Sequence, residues 1–304
     1  MFTAKLAQRP TKTSESGLNL NSLRSLVIKF HTRRPTLRNR LHPRISLLFL
    51  AVLLAANSAR AKKPETGFLD RSVAVQGTSY KYQVFVPENW SPKQKWPVIL
   101  FLHGAGERGE DGLVQTQVGI GKAIREHRER FPAIVVIPQC RKNIWWAQSP
   151  MDDVAIASVD AASKEFHGDK DRTYLTGLSM GGYGTWAIAG KYPKKFAAIA
   201  SICGGVLVPD MARMQSPDDA SPYTEAAKKI GSKVPTWIFH GGEDPVVPVS
   251  ESQRMNAAMK ALGGEVHYTE YPGVGHDSWL KAYDDDEFIK WMLSKSLSGN
   301  ASAK

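Results

Sequence analysis

Only two cysteines occur in the 304-residue chain, Cys140 and Cys203, so a disulfide framework is excluded. Each follows a different predicted strand, and two free, buried thiols are the simpler expectation. No H-E-x-x-H pair, paired-cysteine motif or dinucleotide fingerprint is present, which removes the usual sequence signs of a metal or a cofactor. One glycine-rich turn, His103-Gly104-Ala105-Gly106, lacks the Lys-Ser/Thr of a phosphate-cradling loop. No apolar run approaches the roughly 20 residues that span a bilayer. Internal repeats and low-complexity linkers are also missing.

Acidic residues are scarce in one place. Through Ala61 the chain has eleven Lys or Arg against a single acid, Glu15, so ten of its eleven net positive charges lie there. Residues 62–304 are close to neutral, which excludes the nucleic-acid partner that the overall charge first suggests.

The basic leader has the layout of an export signal. Arg38, Arg40 and Arg44 precede an apolar stretch, residues 45–56, and Ala59-Arg60-Ala61 supplies small residues for cleavage. The expectation is a signal peptide within a 1–61 leader, cut after Ala61, and a secreted or periplasmic product with no stable membrane insertion. An uncleaved N-terminal anchor is the alternative. Residues 62–304 are then one sizeable α/β domain.

Within that domain, Arg71 to Val75 and Tyr80 to Val86 flank Gly77 and predict an antiparallel hairpin. The next runs, Val98 to Leu102, Ala133 to Ile137, Phe196 to Ile202 and Thr236 to Phe239, are continuously apolar, as in strands covered on both faces. Arg172 to Thr176 and Glu265 to Tyr271 add two more strands. Helical segments are predicted over about 113–129, 151–166, 182–192, 250–262 and 285–294. Such alternation predicts a mostly parallel central sheet with helices on both faces.

Ligands of such sheets bind at the carboxyl ends of the strands, and four of those ends carry reactive or glycine-rich sequence. Gly177-Leu178-Ser179-Met180-Gly181 follows one strand and opens a helix. This G-x-S-x-G pattern arises by chance roughly one time in ten in a chain of this length, so its surroundings decide its meaning. A serine hydroxyl needs a base to take its proton and a carboxylate to orient that base. His276, in a glycine-bracketed loop after the last strand, is the base. Asp244 is the preferred acid over Glu243 and Asp277, because Gly241 and Gly242 let its loop bend and Pro245 fixes the turn. The order Ser179, Asp244, His276 is that of α/β-hydrolases. His103 and His240 end strands and read as structural groups bonding loop backbone. Asp284, Asp285 and Asp286 suit a helix N-terminus.

An acyl-transfer oxyanion requires fixed N–H donors. Met180 supplies one, and Ala105, or else Gly104, supplies the other.

From about Val73 to Lys295 the chain resembles the α/β-hydrolases, and its motifs are similar to those of compact secreted esterases and peptidases related to the phospholipase/carboxylesterase and dienelactone hydrolase families. The His103-to-Gly109 turn, Ile137 to Cys140 with Trp145-Trp146, the Gly177-to-Gly184 elbow and the Asp244 and His276 loops carry the resemblance. Dienelactone hydrolases proper use cysteine where Ser179 stands here, so the resemblance implies the serine branch. It implies a carboxylesterase acting on small-molecule or polysaccharide-linked esters through an acyl-enzyme, without a cofactor. A serine peptidase of prolyl-oligopeptidase-like type is the second reading, and a non-catalytic binding protein the third.

Only about thirty residues separate Gly204 from Val234, which leaves no room for a large lid. Trp145, Trp146 and Trp279 fall near strand ends and are expected either to form an aromatic wall for a sugar or phenolic ring, or to pack loops.

Overall fold

A central sheet of eight strands organises the computed structural model, which describes residues 64–208 and 219–302. The leader, its apolar segment and the expected cleavage point lie outside the described residues. In chain order the strands are β1 (Gly67–Val75), β2 (Thr78–Val86), β3 (Trp96–Leu102), β4 (Ile134–Pro138), β5 (Gly168–Leu178), β6 (Ala198–Ile202), β7 (Thr236–Gly241) and β8 (Val266–Tyr271). In space they run β1-β2-β4-β3-β5-β6-β7-β8. β1 and β2 form the expected hairpin, turned by Gln76 and Gly77 at φ 49° and 77°, the positive values that a two-residue turn between twisted strands requires. β2 pairs antiparallel with β4, and every further pairing is parallel.

The unbroken apolar runs are explained by two cores. Val98, Leu100 and Leu102 of β3 face one cluster and Ile99 and Phe101 face the other, all of them fully buried. Burying such a side chain stabilises by roughly 1.5–3 kcal/mol. The first core is covered by α2 (Met151–Glu165), α3 (Met180–Lys191), α4 (Ser221–Ile230) and α5 (Ser250–Ala261). The second is covered by α1 (Ile120–Glu126), α6 (Trp279–Asp284) and α7 (Asp286–Leu293). A last helix, α8 (Leu297–Ser302), ends the described chain. Among the described residues no helix is long and apolar enough to cross a membrane.

One helical expectation is corrected and another is extended. The predicted 113–129 helix is three pieces, with α1 between two 3-10 turns, Val114–Thr116 and Arg128–Arg130. Gly119 takes φ +56°, and a Cβ on Gly121 would stand 2.3 Å from Thr116 O, so the chain folds back there instead of continuing a helix. The predicted 285–294 helix is preceded by a separate turn of helix, α6. Asp285 divides the two, its carboxylate accepting the Glu287 N–H at 2.9 Å as the N-cap of α7. Between β6 and β7 the described helix is α4.

Candidate active site

The serine sits on the sharpest turn of the fold. β5 ends at Leu178, Ser179 takes φ 51° and ψ −119°, and α3 begins at Met180. A positive φ at a non-glycine residue is strained, and the surroundings enforce it here. A Cβ on Gly177 would lie 2.3 Å from Gly181 O, and one on Gly181 only 1.9 Å from Leu102 O, so strand and helix meet too closely for any side chain. The Ser179 N–H donates to Ile202 O at 2.9 Å, which ties the turn to β6.

Two loops converge on it. A Cβ on Gly241 would stand 2.0 Å from Gly275 O, a backbone approach that brings the loops after β7 and β8 together. His276 Nε2 lies 2.9 Å from Ser179 Oγ, and His276 Nδ1 lies 2.7 Å from Asp244 Oδ2. The carboxylate can only accept from Nδ1–H, which leaves Nε2 to accept the serine proton. Asp244 Oδ1 accepts the N–H groups of Val246 and Val247 at 2.8 and 2.9 Å. Burial alone would raise the Asp244 carboxyl, but donors from His240, His276, Val247 and Val246 override it and hold the group well below the usual carboxylate range. It is therefore a fixed negative charge. Of the competing acids, Glu243 and Asp277 are both exposed.

The two expected donors each open a helical turn beside the elbow segment. Met180 opens α3, where its N–H has no intrahelical partner and the helix dipole is positive. Across from it, Ala105 begins a 3-10 turn, Ala105–Glu107, and a Cβ on Gly104 would come within 3.8 Å of Ser179 Cβ. Burial pushes the Glu107 carboxyl up against the pull of its own N–H and that of Gly104. The Gly104 N–H is thus engaged by the Glu107 carboxylate.

The three tryptophans part company. Trp146 is fully buried, its Nε1 donating to His103 O at 3.0 Å and its Cβ filling the space beside Gly184, so it cannot form a substrate wall. Trp145 is partly exposed and stands edge-on to Tyr183, with ring centroids 5.6 Å apart. Trp279 packs perpendicular to the His276 imidazole at 5.4 Å. Trp145, Met180, Tyr183, Trp186, Val206 and Ala226 line part of a cleft of about 990 Å³ that starts beside the elbow and follows α3. Tyr183 was not legible as a site residue, since it reads as one more apolar position of α3. Its ring is largely buried while its hydroxyl bonds to no described residue.

His103 behaves as expected. Nε2 accepts the Cys140 N–H at 2.9 Å and Nδ1 donates to Gly104 O at 2.7 Å, and burial drives the group down to about 4. It is a neutral post that shapes the Gly104 turn. His240 departs from expectation: it bonds Val247 O, but it also reaches Ser252 and Asp244. Cys140 and Cys203 are free and buried. Cys203 Sγ, Asp244 and His276 present ligand atoms within 4.8 Å of one another. Burial raises the Cys203 thiol far above its ordinary range, and the other two groups are committed to each other, so this trio is a poor fit for a cation.

Strand order, elbow and converging loops define an α/β-hydrolase. The prolyl oligopeptidase family (Peptidase_S9) matches residues 143–295, half of the chain, and the protein belongs to that family. Feruloyl esterase B of Thermothelomyces thermophilus is 26% identical over 83% of this chain and 92% of its own length. Acyl-protein thioesterase 1 of Gibberella zeae is 30% identical over 66% of this chain and 92% of its own. Among solved structures, a thermostable esterase superposes with a TM-score of 0.64 at 33% identity; the match covers 75% of this chain and 63% of that one.

Proposed function

We propose that this ester-cleaving hydrolase acts through an acyl-enzyme on Ser179. The observation that carries the reading is the unbroken relay of 2.9 Å from Ser179 Oγ to His276 Nε2 and 2.7 Å from His276 Nδ1 to Asp244 Oδ2. His276 takes the hydroxyl proton as Ser179 attacks the ester carbonyl, and Asp244 stabilises the imidazolium that forms. The oxyanion is held by the Ala105 and Met180 N–H groups. His276 then returns the proton to the departing alcohol, and water releases the acid by the same steps in reverse.

The substrate is an ester with an aromatic or polysaccharide-linked part. The Trp145–Tyr183 cleft supports this, being large, mostly apolar and bordered by a phenol that bonds to no side chain among the described residues, as does the similarity to proteins named as feruloyl esterases. Membership of the prolyl oligopeptidase family favours peptide cleavage as the second reading. A panel of p-nitrophenyl acetate, hydroxycinnamate methyl esters, acetylated xylo-oligosaccharides and a proline p-nitroanilide separates the two. Ester turnover is expected to exceed anilide turnover at least about 100-fold, because expelling an amine demands a proton delivered in step with bond breaking. The reverse ranking selects the peptidase.

Export through the leader is part of the proposal, with residues 62–304 as the mature domain, and the similarity to an uncharacterized secreted protein of Arthroderma benhamiae supports it. Mass spectrometry of the exported protein is expected to find Lys62 at the N-terminus. An intact leader on membrane-bound protein would favour the anchor instead.

A further inference from the structure

The Asp244 carboxylate receives attention from a second histidine. Oδ1 is occupied by the Val246 and Val247 N–H groups, and Oδ2 by His276 Nδ1. His240 Nε2 stands 3.3 Å from the same Oδ2, with both side chains sealed from solvent. His240 sits near the end of β7, four residues before the acid, and its ring is held at both nitrogens. Nε2 is 3.0 Å from Val247 O and Nδ1 is 2.6 Å from the hydroxyl of Ser252 on α5, itself fully buried.

These partners assign the tautomer. A carbonyl oxygen only accepts, so Nε2 carries a hydrogen, while Nδ1 faces the Ser252 hydroxyl, which can donate to it. The Nε2–H is thus directed at Val247 O, with Asp244 Oδ2 3.3 Å from the same nitrogen and within reach of it. The ionisable groups facing the ring are Asp244, Glu270 in register on β8 and, across the carboxylate, His276.

We propose that His240 is a positioning residue for the reaction: its Nε2–H is the fourth donor to the Asp244 carboxylate and keeps Oδ2 turned toward His276, while Ser252 locks the tautomer that makes this possible. Without it, one lone pair of a buried anion goes unmet, and Oδ2 is held toward the imidazole by His276 alone, with only the two N–H groups on Oδ1 fixing the plane of the carboxylate. A group that only ties the loop backbone would need the Nε2 contact to Val247 O, but not the Asp244 carboxylate 3.3 Å from the same nitrogen. The inference rests on the reading of Asp244 as the acid partner of His276.

The test compares His240→Leu, which removes the donor, with His240→Gln, whose amide N–H can reach the Nε2 position, and follows kcat and KM for p-nitrophenyl acetate together with thermal stability. A hydrogen bond to a charged group corresponds to about 10- to 100-fold in rate, so kcat of His240→Leu is expected to fall by that factor with KM within about twofold. His240→Gln is expected to recover kcat to within about threefold of the parent. The downfield Nδ1–H resonance of His276, which reports the Asp244 contact, should shift or broaden in the Leu variant and return in the Gln variant. A folded His240→Leu enzyme with full kcat, or Leu and Gln variants equally impaired, would overturn the proposal. If His240→Leu does not fold, Ser252→Ala decides: an about 3- to 10-fold loss in kcat at unchanged KM supports the role, and an unchanged kcat removes it. Asp244→Asn belongs in the same series, because full activity there would sink the parent reading of the acid and not the role of His240 alone.

Discussion

Ser179→Ala is expected to lose p-nitrophenyl acetate turnover by at least about 10⁴-fold while the protein stays folded. Among the described residues, the only side-chain bond of Ser179 is the 2.9 Å contact to His276 Nε2, so its hydroxyl ties none of them in place beyond that ring. Alanine keeps the Cβ, and the φ of 51° at this position strains both residues alike, so no new backbone cost arises. On the proposed mechanism, what survives is oxyanion stabilisation by the Ala105 and Met180 N–H groups while water, in place of an activated hydroxyl, attacks the carbonyl. Steady-state kinetics with a thermal melt check both halves. Retained turnover in a folded variant would remove Ser179 from the chemistry.

Asp244→Asn is expected to cost about 10⁴-fold in kcat, against less than about twofold for Glu243→Gln. An amide at Asp244 can donate to Nδ1, and this favours the imidazole tautomer that has its proton on Nε2, facing the serine, where it cannot act as a base. The same substitution leaves the Val246 and Val247 N–H groups with a weaker acceptor. It also changes acid stability in a definite direction. Because the folded carboxyl is held below its unfolded value, its contribution to stability is complete above the unfolded range near about pH 4 and is lost as pH falls toward the folded value. The Asn variant is therefore expected to be less stable than the parent at neutral pH, with the gap closing on acidification. Denaturant titrations at pH 7 and pH 3 measure it. Glu243 is exposed and engages the site only through backbone, its N–H donating to Val274 O, so its carboxylate has nothing comparable to lose. The opposite ranking of the two variants would move the acid.

Strands β3, β4 and β6 were legible because both their faces are buried, which leaves no position for a polar residue and prints an unbroken apolar run. The hairpin was legible for a local reason, the Gln76-Gly77 turn between alternating segments. Helix α1 was misread because the back-bend at Gly121 depends on its approach to Thr116 O, a contact that apolar spacing does not encode. Neighbouring Trp145 and Trp146 have the same chemistry, yet one borders the cleft and the other packs on His103, since Gly184 opens space on one side only.

The sequence by itself determined the class: a serine between two glycines at a strand end, with an acid and a histidine later in the chain, is a local and ordered pattern. It also separated the charge of the leader from that of the domain. The order Ser179, Asp244, His276 also named the histidine for the serine, whereas the tertiary structure alone decided which histidine stands behind the acid and which aromatic side chains border the cleft. His240 lies near the end of β7 and His276 in the loop after β8, and both lie near Asp244 in space, a convergence that sequence spacing does not encode. The difference comes from the approach of Gly241 to Gly275, which swings one ring toward Ser179 and seals the other beneath the carboxylate.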